Sequence, residues 1–294
     1  MPVMSIILLL LAFAVNFIID AFFWFVILPL VQFFWMAPLF PAGHEWDIVL
    51  RCTLVSILLP ALLSGAGFMQ EHMVWSMGGR KPQGEAYDRL HTLLADICRR
   101  GNLGDPGFFK IYVLNQQTIN ACALGNRHIV VNEGALMYLD DAALEGILAH
   151  EMGHLRHGHT MVRLCLVGME WFGNVICFVY SFLAILCRLI AWIPFVGWLA
   201  ALWISLITWT HALFSQLLQI PMRLINAFGF RKHEYEADAY AGEIGLGQNL
   251  IRAFHQIQSF YGEQKSGFFT SLWEDHPDMD KRIERLESAE ISNP

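Results

Sequence analysis

Three long apolar runs divide this chain of 294 residues, with polar, helix-patterned segments between and after them. Residues 3–39 hold no Lys or Arg, and Asp20 is their only formal charge. About 20 residues cross a bilayer, so this run predicts one long first helix, broken or tilted near Pro29. It is too long for a cleavable signal peptide, and no small-residue cleavage site follows it. A second run covers residues 48–68, and the largest, residues 164–222, contains only Glu170 and Arg188 as charges. One helix cannot use so long a run, and Pro194 and Gly197 near its middle predict the tip of a hairpin of two spans. A buried helix pair in a soluble core is the plain alternative. Charge-poor runs of this length argue against it.

The polar segments read differently. Residues 79–163 and 223–294 suit one soluble domain split by the hairpin 164–222, after two N-terminal spans within residues 1–78. In residues 84–100, Tyr87, Leu90, Leu94 and Ile97 recur at helical spacing, with Gly101 as a natural stop. Residues 108–114 are aromatic and β-branched, and predict a strand. Residues 119–124 and 128–131 predict two more, joined at Gly125-Asn126-Arg127 as a hairpin. Asp140 can cap a helix running to about His159, and a further helix covers residues 231–242. The fold class is therefore a mainly α membrane protein: about four transmembrane helices plus an α+β domain with a small β-sheet.

Basic residues set the expected orientation. The linker 41–47 has Glu45 and Asp47 but no Lys or Arg, whereas Arg80, Lys81, Arg89, Arg99, Arg100 and Lys110 follow the second span. The positive-inside rule then places both polar segments in the cytoplasm. Asp20 would cost about 2.5–3.5 kcal/mol at a bilayer centre, so it faces either the other spans or the interface. Trp24, Trp35, Trp46 and Trp75 suit interfacial anchoring.

Composition agrees. Apolar residues make up 55% and charged residues only 15%, against about 25% charged in soluble domains, which excludes a disordered chain. A net charge of −7 excludes a typical nucleic-acid binder, which needs a basic surplus to displace counterions. The cysteines have no CxxC spacing, and are expected as packed thiols rather than a disulfide framework.

The chemistry centres on His150-Glu151-Met152-Gly153-His154. Four residues apart on a helix, His150 and His154 stack on one face and can reach one zinc ion. Glu151 lies one step round, placed to take a proton from a water activated there. Such a pattern arises by chance in roughly one chain in fifty of this composition. The continuation HExxHxxGxxH fails, because His157 stands for the glycine and Thr160 for the last histidine. A carboxylate from a later helix is the other solution, and Glu234-Tyr235-Glu236-Ala237-Asp238 offers it. Glu234 and Asp238 share a face; Glu234 is the expected third ligand and Asp238 the group that orients a ligating imidazole. Glu236 points elsewhere, and His157, His159 and His233 are expected at the surface or behind the ligands. A hairpin of two spans would return Glu234 to the side of the histidines.

In these features the chain resembles the integral-membrane gluzincin family that includes the heat-shock peptidase HtpX and the CAAX prenyl proteases. Asn120-Ala121-Cys122-Ala123-Leu124-Gly125 resembles the family's Asn-Ala-Phe-Ala-x-Gly segment, with Cys122 for the aromatic. Residues 231–241 resemble its Arg-x-x-Glu-Phe-x-Ala-Asp helix, with Tyr235 for Phe and His233 where Arg is common. His276-Pro277 with Arg282 resembles its His-Pro-x-x-x-x-Arg element. The resemblance implies a zinc endopeptidase holding one zinc ion per chain. Membrane or unfolded proteins would be its substrates, cleaved at the cytoplasmic face of a bacterial inner membrane. It further implies His276 as a donor to the oxyanion, and Asn120, Ala121, Cys122 and Arg282 as substrate contacts. The competing expectation is a non-catalytic zinc-binding membrane adaptor of the same fold, which the intact Glu151 opposes. A protease with its motif inside the bilayer is disfavoured by the charges around HExxH, among them Asp140, Asp141, Glu145 and Arg156.

Overall fold

The computed structural model describes residues 3–35, 43–190, 230–262 and 279–292, with isolated positions between 193 and 216. The chain forms two compact units, residues 65–163 with 226–294 and residues 2–64 with 164–225.

The first unit holds the polar segments. Helix α3 (Gly67–Ser76) opens it, and α4 (Glu85–Arg100) buries Leu90, Leu94 and Ile97. Its acidic first turn and Arg99 and Arg100 in its last complement the helix dipole. Gly101 ends α4 in a right-handed conformation, and the positive φ (50°) falls on Asn102 instead. Asn is among the residues that tolerate the left-handed region. The expected strand from residue 108 starts later. A 3₁₀ turn, Pro106–Phe108, intervenes, where Asp105 accepts the Gly107 N–H at 2.8 Å.

Strands β1 (Lys110–Leu114), β2 (Ala121–Leu124) and β3 (His128–Asn132) form one sheet in the order β1-β3-β2. β1 runs parallel to β3 in the register Lys110↔His128, and β2 is antiparallel to it, Cys122 opposite Val130. Gly125 (φ 67°) makes the hairpin turn possible. β3 is buried along its whole length. Arg80 bridges to Val113 on the outer side of β1, so the edge strand beside the helices is β2.

After α5 (Glu133–Tyr138) comes the central helix α6 (Asp141–His157), capped by the Asp140 carboxylate on the Ala143 N–H at 2.9 Å. Gly158, left-handed at φ 72°, stops it, and His159 already begins α7 (His159–Ile190). α6 packs against α4, β2, α8 (Phe230–Glu243) and α9 (Gly247–Gly262). The last helix, α10 (Met279–Ser292), packs on α8 and α9. Two glycines let α6 be approached so closely. A Cβ on Gly146 would lie 2.4 Å from the Asn249 carbonyl carbon, and one on Gly153 would lie 2.8 Å from Ala237 Cα.

The second unit holds α1 (Val3–Trp35), α2 (Glu45–Ser64) and most of α7. Among the described residues three helices are long and apolar enough to cross a membrane, over Leu9–Pro29, Glu45–Ser64 and His159–Leu186. α1 continues through Pro29 instead of breaking there, as membrane helices often can. The second run ends at Ser64, and Phe68 belongs to α3 in the other unit. Asp20 is fully buried and accepts the Ser56 hydroxyl of α2 at 2.7 Å, so it faces another helix. Trp24 stacks on Phe172 of α7 at 5.4 Å. Gly168 of α7 meets α2, where an added Cβ would lie 2.6 Å from Ala61 Cα. Pro194 lies outside the described residues, while the Gly197 N–H donates to the Ile193 carbonyl at 2.8 Å. Among the described residues, Cys52, Cys98, Cys122, Cys165 and Cys177 are free thiols.

Candidate metal centre

The close crossing of α6 and α8 at Gly153 and Ala237 brings the two motifs face to face. On α6 the Nε2 atoms of His150 and His154 lie 3.1 Å apart. On α8 Glu234 places Oε2 3.5 Å from His150 Nε2 and Oε1 3.3 Å from His154 Nε2. One ligand atom from each residue falls within 4.8 Å of the others. Two imidazole nitrogens and a carboxylate oxygen are a donor set that suits zinc. The fit is also internal, because each imidazole engages its Nδ1 elsewhere and turns Nε2 toward the shared point.

Asp238, one turn beyond Glu234, lies with Oδ1 2.9 Å from His150 Nδ1. Arg282 from α10 grips the same carboxylate with Nε at 2.7 Å and Nη2 at 2.6 Å, and Nη1 lies 3.1 Å from Glu234 Oε2. Burial works to raise the Asp238 acid, but Arg282 and His150 outweigh it and hold the group below the ordinary carboxylate range. It therefore stays an anion that can only accept, which fixes the His150 proton on Nδ1. Arg282 is only 3% exposed; its donors serve these two carboxylates, and it also borders a cavity beside His150 and Glu151.

Glu151, 6% exposed, accepts the Ala123 N–H of β2 through Oε2 at 2.7 Å. An apolar cavity opens beside His150 and Glu151, walled by Ile147, Phe254 and Ile257 and bordered by Asn120 and Ala121. Three of the four residues expected at the substrate, Asn120, Ala121 and Arg282, thus border the cavity. Cys122 does not. Alternation along β2 turns its side chain to the other face, onto the cluster of Val74, Tyr112, Leu114 and Val130. Burial, helped by Glu151, pushes its thiol up to about 12. His276 lies outside the described residues.

Behind His154 stands a group of side chains whose arrangement the spacing did not disclose. His159 Nδ1 is 3.2 Å from His154 Nδ1, and His159 Nε2 is 2.8 Å from Glu236 Oε2. Burial, together with His233, His154 and His157, pushes His159 down to about 2, so its ring is neutral. Glu236 does point away from the three ligand atoms, as its position on α8 requires.

The family model described as Peptidase family M48 matches residues 85–290. A Protease HtpX homolog of Bacillus velezensis is 28% identical over 226 residues, which is 68% of each chain. Protease HtpX of Salmonella newport is 25% identical over 273 residues, 80% of this chain and 87% of that one. Among solved structures, S. mikatae Ste24p superposes with a TM-score of 0.45 at 23% identity, covering 84% of this chain and 58% of its own.

Proposed function

The chain belongs to peptidase family M48, and on that premise we propose that it is a membrane-embedded zinc endopeptidase acting on membrane or unfolded proteins. The observation that carries this reading is the convergence of His150, His154 and Glu234 beside Glu151 and the edge strand β2. The three ligands would hold one zinc ion, which when bound polarises the scissile carbonyl and lowers the pKa of a water to about 7.

The chain's own residues supply the rest. Ala123 holds Glu151 by Oε2, which leaves Oε1 to take a proton from the attacking water and later pass it to the leaving amine. Pairing in an antiparallel ladder alternates. Asn120 faces β3, its carbonyl accepting the Asn132 N–H at 2.9 Å, so Ala121 and Ala123 turn their N–H and C=O groups to the outer edge. An extended peptide can add there as a further strand through the Ala121 N–H and C=O and the Ala123 C=O, the Ala123 N–H being held by Glu151, with one side chain in the apolar cavity. Backbone pairing of this kind reads shape more than sequence, which favours broad cleavage of unfolded segments. The resemblance assigns the remaining donor to the developing oxyanion, His276.

Topology supports two further expectations. The histidines precede the apolar segment 164–222 and Glu234 follows it, so that segment must cross the bilayer an even number of times. With α7 as one crossing, a second makes four spans in all. The basic residues of 80–110 then favour a cytoplasmic centre. A non-catalytic adaptor would have no use for a buried acid aimed at a strand edge. The test is cleavage of an unfolded substrate by the purified protein, stripped of metal by a chelator and then resupplied with zinc. Activity lost and regained supports the reading, and activity indifferent to both steps contradicts it.

A further inference from the structure

His150 is braced from behind by Asp238, and its partner ligand needs a brace as well. Zinc uses the Nε2 lone pair of both histidines, so each must carry its proton on Nδ1. For His154 the group facing Nδ1 is another imidazole, His159 Nδ1 at 3.2 Å. Two nitrogens at that distance share one proton. If His154 donates it, His159 Nδ1 must accept, and the His159 proton must sit on Nε2. That atom lies 2.8 Å from Glu236 Oε2, and a carboxylate only accepts. Every proton along the line is assigned without conflict.

We propose that His159 and Glu236 are positioning residues, a relay that fixes His154 in its metal-binding tautomer and orientation. The proposal rests on the zinc reading above. The relay differs from the Asp238 arm in its chemistry: a neutral ring stands between the ligand and the carboxylate, so the negative charge lies one residue further from the metal. The surroundings hold that ring in place. His159 lies nearly parallel to His233 at 4.0 Å and to His157 at 5.4 Å. His157 in turn is held to α6, its Nδ1 2.8 Å from the Gly153 carbonyl oxygen. At the far end Lys232 Nζ lies 3.6 Å from Glu236 Oε1. Two motifs distant in sequence thus meet twice, once through the ligands and once through this line behind them.

The experiment is zinc affinity of the purified full chain, measured by competition with a chelator, alongside the visible spectrum of the cobalt-loaded protein. His159→Phe keeps the ring and removes both nitrogens, and is expected to weaken zinc about 10–100-fold. His159→Gln, whose amide oxygen can accept the His154 proton, is expected to recover most of that affinity and the wild-type cobalt spectrum. Glu236→Ala is expected to give a smaller loss. The double variant His159→Phe with Glu236→Ala is expected to be no weaker than His159→Phe alone, because Glu236 acts only through His159. An affinity of His159→Phe within about twofold of wild type, where about 10–100-fold is expected, would overturn the proposal; so would losses that simply add. Should His159→Phe not fold, Glu236→Ala decides, since equal zinc affinity in it and the wild type overturns the relay. A wild-type chain that binds no zinc would instead overturn the zinc reading, and the relay with it.

Discussion

Glu151 Oε2 and the backbone N–H of Ala123 lie 2.7 Å apart, which ties the acid of the HExxH helix to the edge strand of the sheet. The contact uses an N–H that β3 does not need. Proline is tolerated on an edge strand where the lost N–H points outward, so Ala123→Pro removes this tie and leaves the ladder whole. The expected result is retained zinc with cleavage slowed about 10–100-fold, since a misplaced catalytic group costs that much. Zinc analysis and a peptide assay on the same preparation check it; unchanged cleavage would show that the contact does not position Glu151.

The acidic residues of α8 are expected to separate by role. Glu234→Ala loses zinc and activity together, because two histidines do not hold a catalytic zinc tightly. Asp238→Ala weakens zinc about 10–100-fold without abolishing the site. Arg282→Ala strands two buried carboxylates and is expected to destabilise the protein by about 3–5 kcal/mol, read as a lowered unfolding midpoint. Arg282→Lys restores little, because one ammonium cannot replace a bidentate fork. Zinc retained by Glu234→Ala would contradict the ligand assignment.

Gly153 carries a separate prediction. Even one added carbon would stand 2.8 Å from Ala237 Cα, so Gly153→Val must push α8 and Glu234 away from the histidines. Zinc affinity is expected to fall about 100-fold or more, the scale of an ångström-sized misplacement. Isothermal titration of the metal-free variant measures this. Affinity equal to wild type would mean that the crossing does not set the site.

The ligands were legible in the sequence because their spacing is helix geometry. Four residues is one turn, so HExxH and ExxxD each declare a face before any tertiary structure is known. Boundaries declared by glycine and aspartate were legible too, as at Asp140, Gly101 and the Gly125 turn. What the sequence hid is set by packing between distant segments. Arg282 reaches His150 across 132 residues, and no periodicity announces that its guanidinium belongs to Asp238. Motif resemblance places Cys122 at the substrate, yet strand alternation turns it off the site. His159 was legible as a residue at the surface or behind the ligands, but its link to Glu236 forms only where α6 and α8 cross.

Orientation has its own measurement. In a background with the native cysteines replaced, a membrane-impermeant maleimide is expected to label a cysteine at His44 from outside intact cells, and to miss one at Gln83. Both positions are exposed, so access to the reagent decides the outcome. The reverse pattern would place the metal centre outside the cytoplasm.

The most direct test of the central claim is Glu151→Gln, with zinc content and cleavage of an unfolded substrate measured on one purified sample. Glu151 touches the strand edge and is not among the three converging ligands. The variant is therefore expected to keep about one zinc per chain, held by the three protein ligands of a catalytic site, while cleavage disappears. Cleavage near the wild-type rate, or loss of the metal, would contradict the account.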